Sequence, residues 1–169
     1  MTTPAADTSE ADVFRAAIGS FVTGVTVVTI RDDDDDIGIT STAFASVSLQ
    51  PPLVMVTVNT ESYVDEVLHR RDAFAVSILA ATQTQVASRF AVLGRPSARL
   101  LLADLPHHRG VHSAALIVDD GLAALECRAR ERIDAGDHTI VVAGVVAIDY
   151  RSDDRAPLLH FRGRYRHDR

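Results

Sequence analysis

The residues of this chain best placed to do chemistry lie in the stretch Gly38-Ile-Thr-Ser-Thr-Ala-Phe-Ala-Ser-Val-Ser-Leu-Gln-Pro-Pro52. Apolar and small polar residues alternate there with the period of a half-buried strand, which puts Thr40, Thr42, Ser46 and Ser48 on one face as short donors and acceptors. Pro51 and Pro52 end the strand, because neither can donate to a ladder. Two readings fit such a face: a solvated sheet edge, where serine and threonine are ordinary, or a shelf for a flat, hydrogen-bonding ligand with a phosphate at one end. Two other groups bear on the choice. Ser88-Arg89-Phe90 puts a hydroxyl, a bidentate cation and a ring together at the end of an expected helix. That trio suits a phosphate beside a ring, and it equally suits an arginine capping a core helix. Gly136-Asp137-His138 is a tight turn that sets a histidine at the mouth of a long strand, either as a hydrogen-bonded turn residue or as a site group.

Other chemistries are excluded by what the chain lacks. All 17 positive charges are arginines, so Schiff-base chemistry and a P-loop are ruled out, and any phosphate must be met by arginine, hydroxyls or backbone amides. No G-x-S-x-G, H-E-x-x-H, C-x-x-C or G-x-G-x-x-G pattern is present. His107, His108 and His112 form an H-H-x-x-x-H cluster, but Pro106 and Gly110 oppose a helix there and no matching ligand follows, so they read as surface histidines and no metal is expected. The Asp32–Asp36 run lacks the spaced ligands and glycine of a calcium loop and reads as a solvated hairpin loop. A net charge of −6 argues against nucleic acid. Cys127, the single cysteine, excludes an intrachain disulfide, and no apolar run is long enough for a membrane span. With no signal-peptide pattern at the start, a cytoplasmic location is expected.

The elements that must position these groups are mostly strands. Residues 1–8 are expected to be disordered, and residues 9–169 to form one domain, as 169 residues suit a single core. Ser9 can cap a helix carrying Val13, Phe14, Ala17, Ile18 and Phe21 on one face. The β-branched run Val25–Arg31 reads as a strand, with the stretch from Gly38 as its return partner. Further strands are expected over Leu53–Val58, Ala73–Leu79, Ala115–Val118, Ala123–Ile133, His138–Tyr150 and Leu158–Phe161, with Gly144 marking a bulge or bend. Helical spacing runs from Ser62 to His69 and through Val86, Ala87 and Phe90. Seven or eight strands without βαβ alternation indicate a mainly β fold, an antiparallel barrel with a few flanking helices.

Taken together, these residues resemble the flavin reductase components of two-component flavin-dependent monooxygenases, in the FMN-binding split-barrel superfamily. The resemblance rests on Thr23-Gly24-Val25-Thr26-Val27-Val28-Thr29, Gly38-x-Thr40, Ser46-Val47-Ser48-Leu49-x-Pro51-Pro52-Leu53-Val54, Phe74-Ala75-Val76-x-Ile78-Leu79 and Gln85-x-x-x-x-Phe90-Ala91. It continues through Leu125-Glu126-Cys127, Gly136-Asp137-His138-Thr139-Ile140, Gly144-x-Val146 and Pro157-Leu158-Leu159 with Arg162-Gly163-Arg164-Tyr165, and covers nearly the whole chain from Phe14. It implies a homodimer of split barrels that binds FMN or FAD near the interface, takes NADH or NADPH as a transient co-substrate, and supplies reduced flavin to a separate monooxygenase. By the same resemblance Thr40, Ser41, Thr42, Ala43, Ser46, Val47 and Ser48 should meet the isoalloxazine and ribityl chain, and Ser88, Arg89 and Phe90 the phosphate. Asp137 and His138 of the turn, with Arg164 and Tyr165, should lie near the nicotinamide, His138 as a positioning or proton-donating group. The chain departs from the family at Ala43, where serine is frequent, so the backbone amide is expected to serve there.

Hydride transfer between stacked rings needs no nucleophile, which accounts for an enzyme without triads or metal motifs. A tightly held FMN serving electron transfer, and a catalytically silent ligand-binding barrel, are the alternative readings of the same pattern.

Overall fold

The computed structural model describes residues 9–151 and 154–166; the leader expected to be disordered, residues 1–8, lies outside them. In chain order the elements are α1 (Glu10–Ile18), β1 (Thr23–Gly24), β2 (Thr26–Asp32), β3 (Asp35–Ser41), β4 (Phe44–Leu49), β5 (Pro52–Asn59), α2 (Tyr63–Arg70) and β6 (Ala73–Ile78). A short 3-10 turn leads into α3 (Thr84–Ala91) and α4 (Ala98–Leu101), followed by β7 (His107–Arg109), β8 (Leu116–Val118), β9 (Ala123–Ala135), β10 (His138–Tyr150), β11 (Leu159–Phe161) and β12 (Arg164–Arg166). No helix among the described residues is long and apolar enough to cross a membrane.

Seven strands form one antiparallel sheet in the order β3-β2-β6-β9-β10-β5-β4. Strands β3 and β4 are neighbours in sequence, separated only by Thr42 and Ala43, yet they occupy opposite edges of this sheet. The sheet must therefore curl until its edges approach, and Thr57 N–H, on β5, donates to the Ala43 carbonyl at 3.1 Å, carrying the β4–β5 ladder up to the break. This is the split barrel expected from the sequence. The expected single return strand is instead broken at Thr42–Ala43, so its two halves pair with different partners: β3 with β2, and β4 with β5. Gly144 sits between two register shifts in the β9–β10 ladder, where its missing side chain leaves room for the Arg130 guanidinium.

Strand β2 is covered on both faces, which explains its near-continuous β-branched sequence. Val28 and Ile30 join Val56, Phe74, Val141 and the apolar side of α2 inside the barrel. Val25 and Val27 face outward into a second core with Val86, Phe90, Leu102 and Leu158, roofed by α3 and α4. Ser62 caps α2, accepting from the Asp65 amide at 3.2 Å. By contrast α1, capped by Ser9, buries none of its residues and leaves Phe14 67% exposed.

The aspartate run is not the solvated loop its composition suggests, because only Asp33 and Asp34 form the turn, while Asp32 and Asp36 are buried. Arg70 Nε and Arg71 Nε donate to Asp32 Oδ1 at 3.2 and 3.0 Å, and Tyr63 donates to Oδ2 at 3.3 Å. Arg109 forks onto both Asp36 oxygens at 2.8 and 3.0 Å, and Arg31 adds a bond at 3.1 Å. The partners lie 38 and 73 residues away in sequence, beyond the reach of local pattern. The Arg70 bond, with Arg71 and Tyr63 and against burial, holds the Asp32 carboxyl at about 2. Burial pushes the Asp36 carboxyl up, but Arg109, Arg31 and Arg99 outweigh it and keep it below the usual range.

The free edge of β3 is closed by side chains. The carbonyls of Asp34, Asp36 and Gly38 accept from Arg99 Nη2, Ser97 Oγ and Arg95 Nε. Donors at every second residue thus meet carbonyls at every second residue, in place of a neighbouring strand.

Two outcomes follow from the buried carboxylates. Asp36→Ala is expected to destabilise the fold by about 1–3 kcal/mol, measured by urea unfolding, since it removes the shared acceptor of three partly exposed arginines. Asp32 has a folded-state pKa below its unfolded one, so its contribution is full above 3.8 and is lost as the pH falls toward about 2. Asp32→Asn should flatten the acid limb of the melting temperature over that interval.

Candidate functional site

The break between β3 and β4 is built from hydrogen bonds that divide the hydroxyls of the Thr40–Ser48 stretch into two sets. Thr40 Oγ1 donates to the Ala87 carbonyl at 2.6 Å and ties β3 to α3. Thr26 Oγ1 donates to the Ser41 carbonyl at 2.9 Å, and the buried Ser41 Oγ accepts from the Ala43 amide at 3.2 Å. The Thr40 and Ser41 hydroxyls therefore hold the corner together. The Ala43 amide, expected to serve a ligand, is directed at Ser41 instead. No described residue hydrogen-bonds the hydroxyls of Thr42, Ser46 or Ser48. Thr42 and Ser48 are half-buried, while Ala43, Ser46 and Val47 are exposed. The β4–β5 register shifts between Ser46 and Ser48, so Val47 is the extra residue of a bulge that re-aims its neighbours.

Two of the expected phosphate contacts are corrected by the geometry. Arg89 is engaged within the chain, donating through Nη2 to Asp104 at 2.8 Å and through Nη1 to the Leu101 carbonyl at 2.8 Å. It anchors α3 to the segment after α4. Phe90 is fully buried and its ring lies over Gly38, where a Cβ would approach Phe90 Cε1 to 2.5 Å. That ring presents no face to a ligand. Ser88 is exposed and follows Ala87, so the Thr40 bond keeps it beside the corner.

The remaining candidates lie on strands linked by pairing to those of the corner. Tyr165 lies on β12, which pairs with β11, and β11 pairs with β1 through Thr23 and His160. That small sheet leads directly into Thr26, whose hydroxyl grips Ser41. Tyr165 is half-buried against the second core and meets His160 edge-on at 5.9 Å, burial pushes its phenol up, and Arg164 beside it is exposed. His138 pairs with Asn59 at the end of β5, two residues beyond the Thr57 amide that binds Ala43. His138 Nδ1 lies 2.7 Å from Asp137 Oδ1, leaving Nε2 clear, and this contact with His138 holds the Asp137 carboxyl below its usual range. The Asp137 carbonyl accepts from the Thr60 amide at 3.1 Å, fixing the turn against the β5 end.

The donor set fits a planar, polar ligand better than a metal or a covalent mechanism. Among the described residues no group of three His, Cys, Asp or Glu side chains could hold a metal ion. Burial, with Glu126 beside it, pushes the Cys127 thiol up to about 12, so it is no nucleophile. Glu126 itself is engaged by the amides of His112 and Ser113 at 2.8 and 2.6 Å and by the Ser113 hydroxyl at 2.7 Å. A cleft of about 200 Å³ between α3 and the 105–120 segment contains none of the predicted site residues.

Sequence reasoning missed Gly38 and Arg95 as shapers of this region. The period-2 spacing of Arg95, Ser97 and Arg99 was the signal for the second. Gly38→Ala is expected to cost about 1–3 kcal/mol through overpacking against Phe90. It should also displace α3 and Ser88, so that ligand affinity falls along with the thermal midpoint.

The model of the flavin reductase like domain matches residues 18–168. A flavin reductase (NADH) from Kitasatospora aureofaciens is 36% identical over 92% of this chain and 81% of its own length. The reductase component of a Thermus thermophilus 4-hydroxyphenylacetate 3-monooxygenase is 36% identical over 92% of this chain and 95% of its own. Among solved structures, the flavin reductase component of a bacterial two-component tryptophan halogenase superposes with a TM-score of 0.87 at 34% identity, covering 95% of this chain and 100% of that one. An NADH:FAD oxidoreductase of Streptomyces globisporus, solved with NAD and FAD fragments, gives 0.86 at 32% identity, covering 97% and 96%. With a matching family model over most of its length and relatives of this identity, the chain belongs to the flavin reductase like domain family.

Proposed function

We propose that this chain is an NAD(P)H:flavin oxidoreductase that reduces FMN or FAD at the expense of NADH or NADPH and supplies the reduced flavin to a separate flavin-dependent monooxygenase. The observation that carries the reading is the open corner at Thr42–Ser48, where hydroxyls without partners among the described residues line a surface held by Thr26, Thr40 and Ser41. The flavin and nicotinamide supply the hydride chemistry between them. The protein's task is then to bind and orient two rings and to exclude water.

Thr42, Ser46 and Ser48 provide hydrogen bonds to the ring edge and ribityl hydroxyls, and Ala43 and Val47 offer small apolar contacts. Ser88 serves the phosphate side. Asp137 orients His138 so that Nε2 faces the co-substrate, as a positioning group able to hold a proton, and Arg164 with Tyr165 flanks the nicotinamide. A homodimer is part of this reading: α1 buries nothing within its own chain yet carries Val13, Phe14 and Ile18, and Phe21 follows 72% exposed. A second copy covering that stripe accounts for its composition.

Loss of nicotinamide absorbance on mixing the protein with NADH and FMN or FAD tests the activity. Oxidation well above a flavin-only control is expected, and none with either flavin sinks the proposal. His138→Ala should raise the KM for NADH or lower kcat by about tenfold, the worth of one hydrogen bond to a charged or polarised group. A variant with both constants unchanged would remove His138 from the site.

A further inference from the structure

Arg95 differs from the other half-buried arginines. Arg31, Arg71, Arg89, Arg132 and Arg155 each face a carboxylate, on Asp36, Asp32, Asp104, Asp72 and Asp120. Arg95 has no carboxylate partner among the described residues: its Nε donates to the Gly38 carbonyl and its Nη1 to the Val92 carbonyl, both neutral acceptors. Burial alone works against its charge. A partly desolvated cation without a counter-charge is unfavourable, and with 23 acidic residues in the chain its isolation is not for want of carboxylates.

Its position is set by β3. The Gly38 carbonyl lies on the edge of β3 that β2 does not use, and in an antiparallel strand the amides of Gly38 and Thr40 face the same way. Thr40 is bonded to Ala87, next to the exposed Ser88. The two bonds of Arg95 leave both Nη2 hydrogens free. Arg95 is thus held on the same edge of β3 that leads, through Thr40, into the open corner. Arg89, the other cation of this region, is closed off by Asp104.

Building on the flavin reductase reading above, we infer that Arg95 is the cation that meets the phosphate of the flavin, and that through it the chain discriminates FMN and FAD from riboflavin. The contact is a charge-assisted fork onto phosphate oxygens, reinforced by the β3 edge amides. Riboflavin offers the same ring and ribityl chain with nothing for Arg95 to hold.

Quenching of flavin fluorescence on titration with protein measures the three affinities separately from turnover. Wild type should bind FMN and FAD about tenfold or more tightly than riboflavin, and the gap should narrow as salt is added. Arg95→Gln should close the gap by weakening FMN and FAD by a larger factor than riboflavin, and Arg95→Lys should restore part of it. If Arg95 only seals the β3 edge, the Gln variant melts earlier and all three flavins weaken together, which overturns the inference. Should the Gln variant not fold, the wild-type ratio decides, because riboflavin bound as tightly as FMN is equally fatal. FMN binding untouched by Arg95→Gln removes the assignment alone, whereas a wild type that binds no flavin overturns the flavin reading with it.

Discussion

The structure depends on one segment serving as both edges of one sheet. Residues 35–49 leave β2 at one side of the seven-stranded sheet and rejoin it beside β5 at the other, with two residues between. A flat sheet cannot satisfy that connection, so closure is imposed by chain continuity, and the side-chain cores on the two faces follow from it. The corner where the edges meet is consequently the place where ladder hydrogen bonding fails, since neither β3 nor β4 has a strand on its outer side there. Side chains replace part of the missing ladder through Thr26, Thr40 and Ser41, and what they do not replace is left open to a ligand.

This also accounts for what the sequence made legible. The β-branched run of β2, the alternation of β3 and β4, the proline pair and the bulge at Gly144 are local signals, and each element appeared near its expected place. The break at Thr42–Ala43 was hidden because the alternation runs through it unchanged, with Phe44 keeping the apolar beat. Only the pairing of the two halves with different strands, β3 with β2 and β4 with β5, reveals it. Phe90 shows two local signals in conflict. Its spacing with Val86 and Ala87 put it on the core face, while its place after Ser88-Arg89 suggested a ligand, and periodicity prevailed because a 3.6-residue helix cannot turn that ring outward. The Arg89–Asp104 pair spans fifteen residues and had no local trace.

The charges follow the same division between local and long-range. A run of five aspartates looks like solvated repulsion when read along the chain, yet the two-residue turn leaves Asp32 and Asp36 facing inward while Asp33 and Asp34 face water. Five arginines from four separate segments converge on the inward pair. Arginine suits this better than lysine would, because its planar fork can satisfy both oxygens of a buried carboxylate at once, as Arg109 does on Asp36. These five cations are committed to the fold and are not available to an anionic ligand.

An enzyme built this way can be poor in conventional catalytic residues without being poor in catalytic means. Two rings that react by direct hydride transfer ask for distance, parallelism and a fixed hydrogen-bond pattern, all of which depend on the rigidity of the supporting backbone. The Thr26–Ser41, Ser41–Ala43 and Thr40–Ala87 bonds join β2, β3, the corner and α3 into one unit, so a shift in any of them moves the open hydroxyls together. Of the four hydroxyls that the alternation sets on one face, Thr40 is therefore spent on the fold, as is Ser41 from the other face, while Thr42, Ser46 and Ser48 keep no hydrogen-bond partner among the described residues.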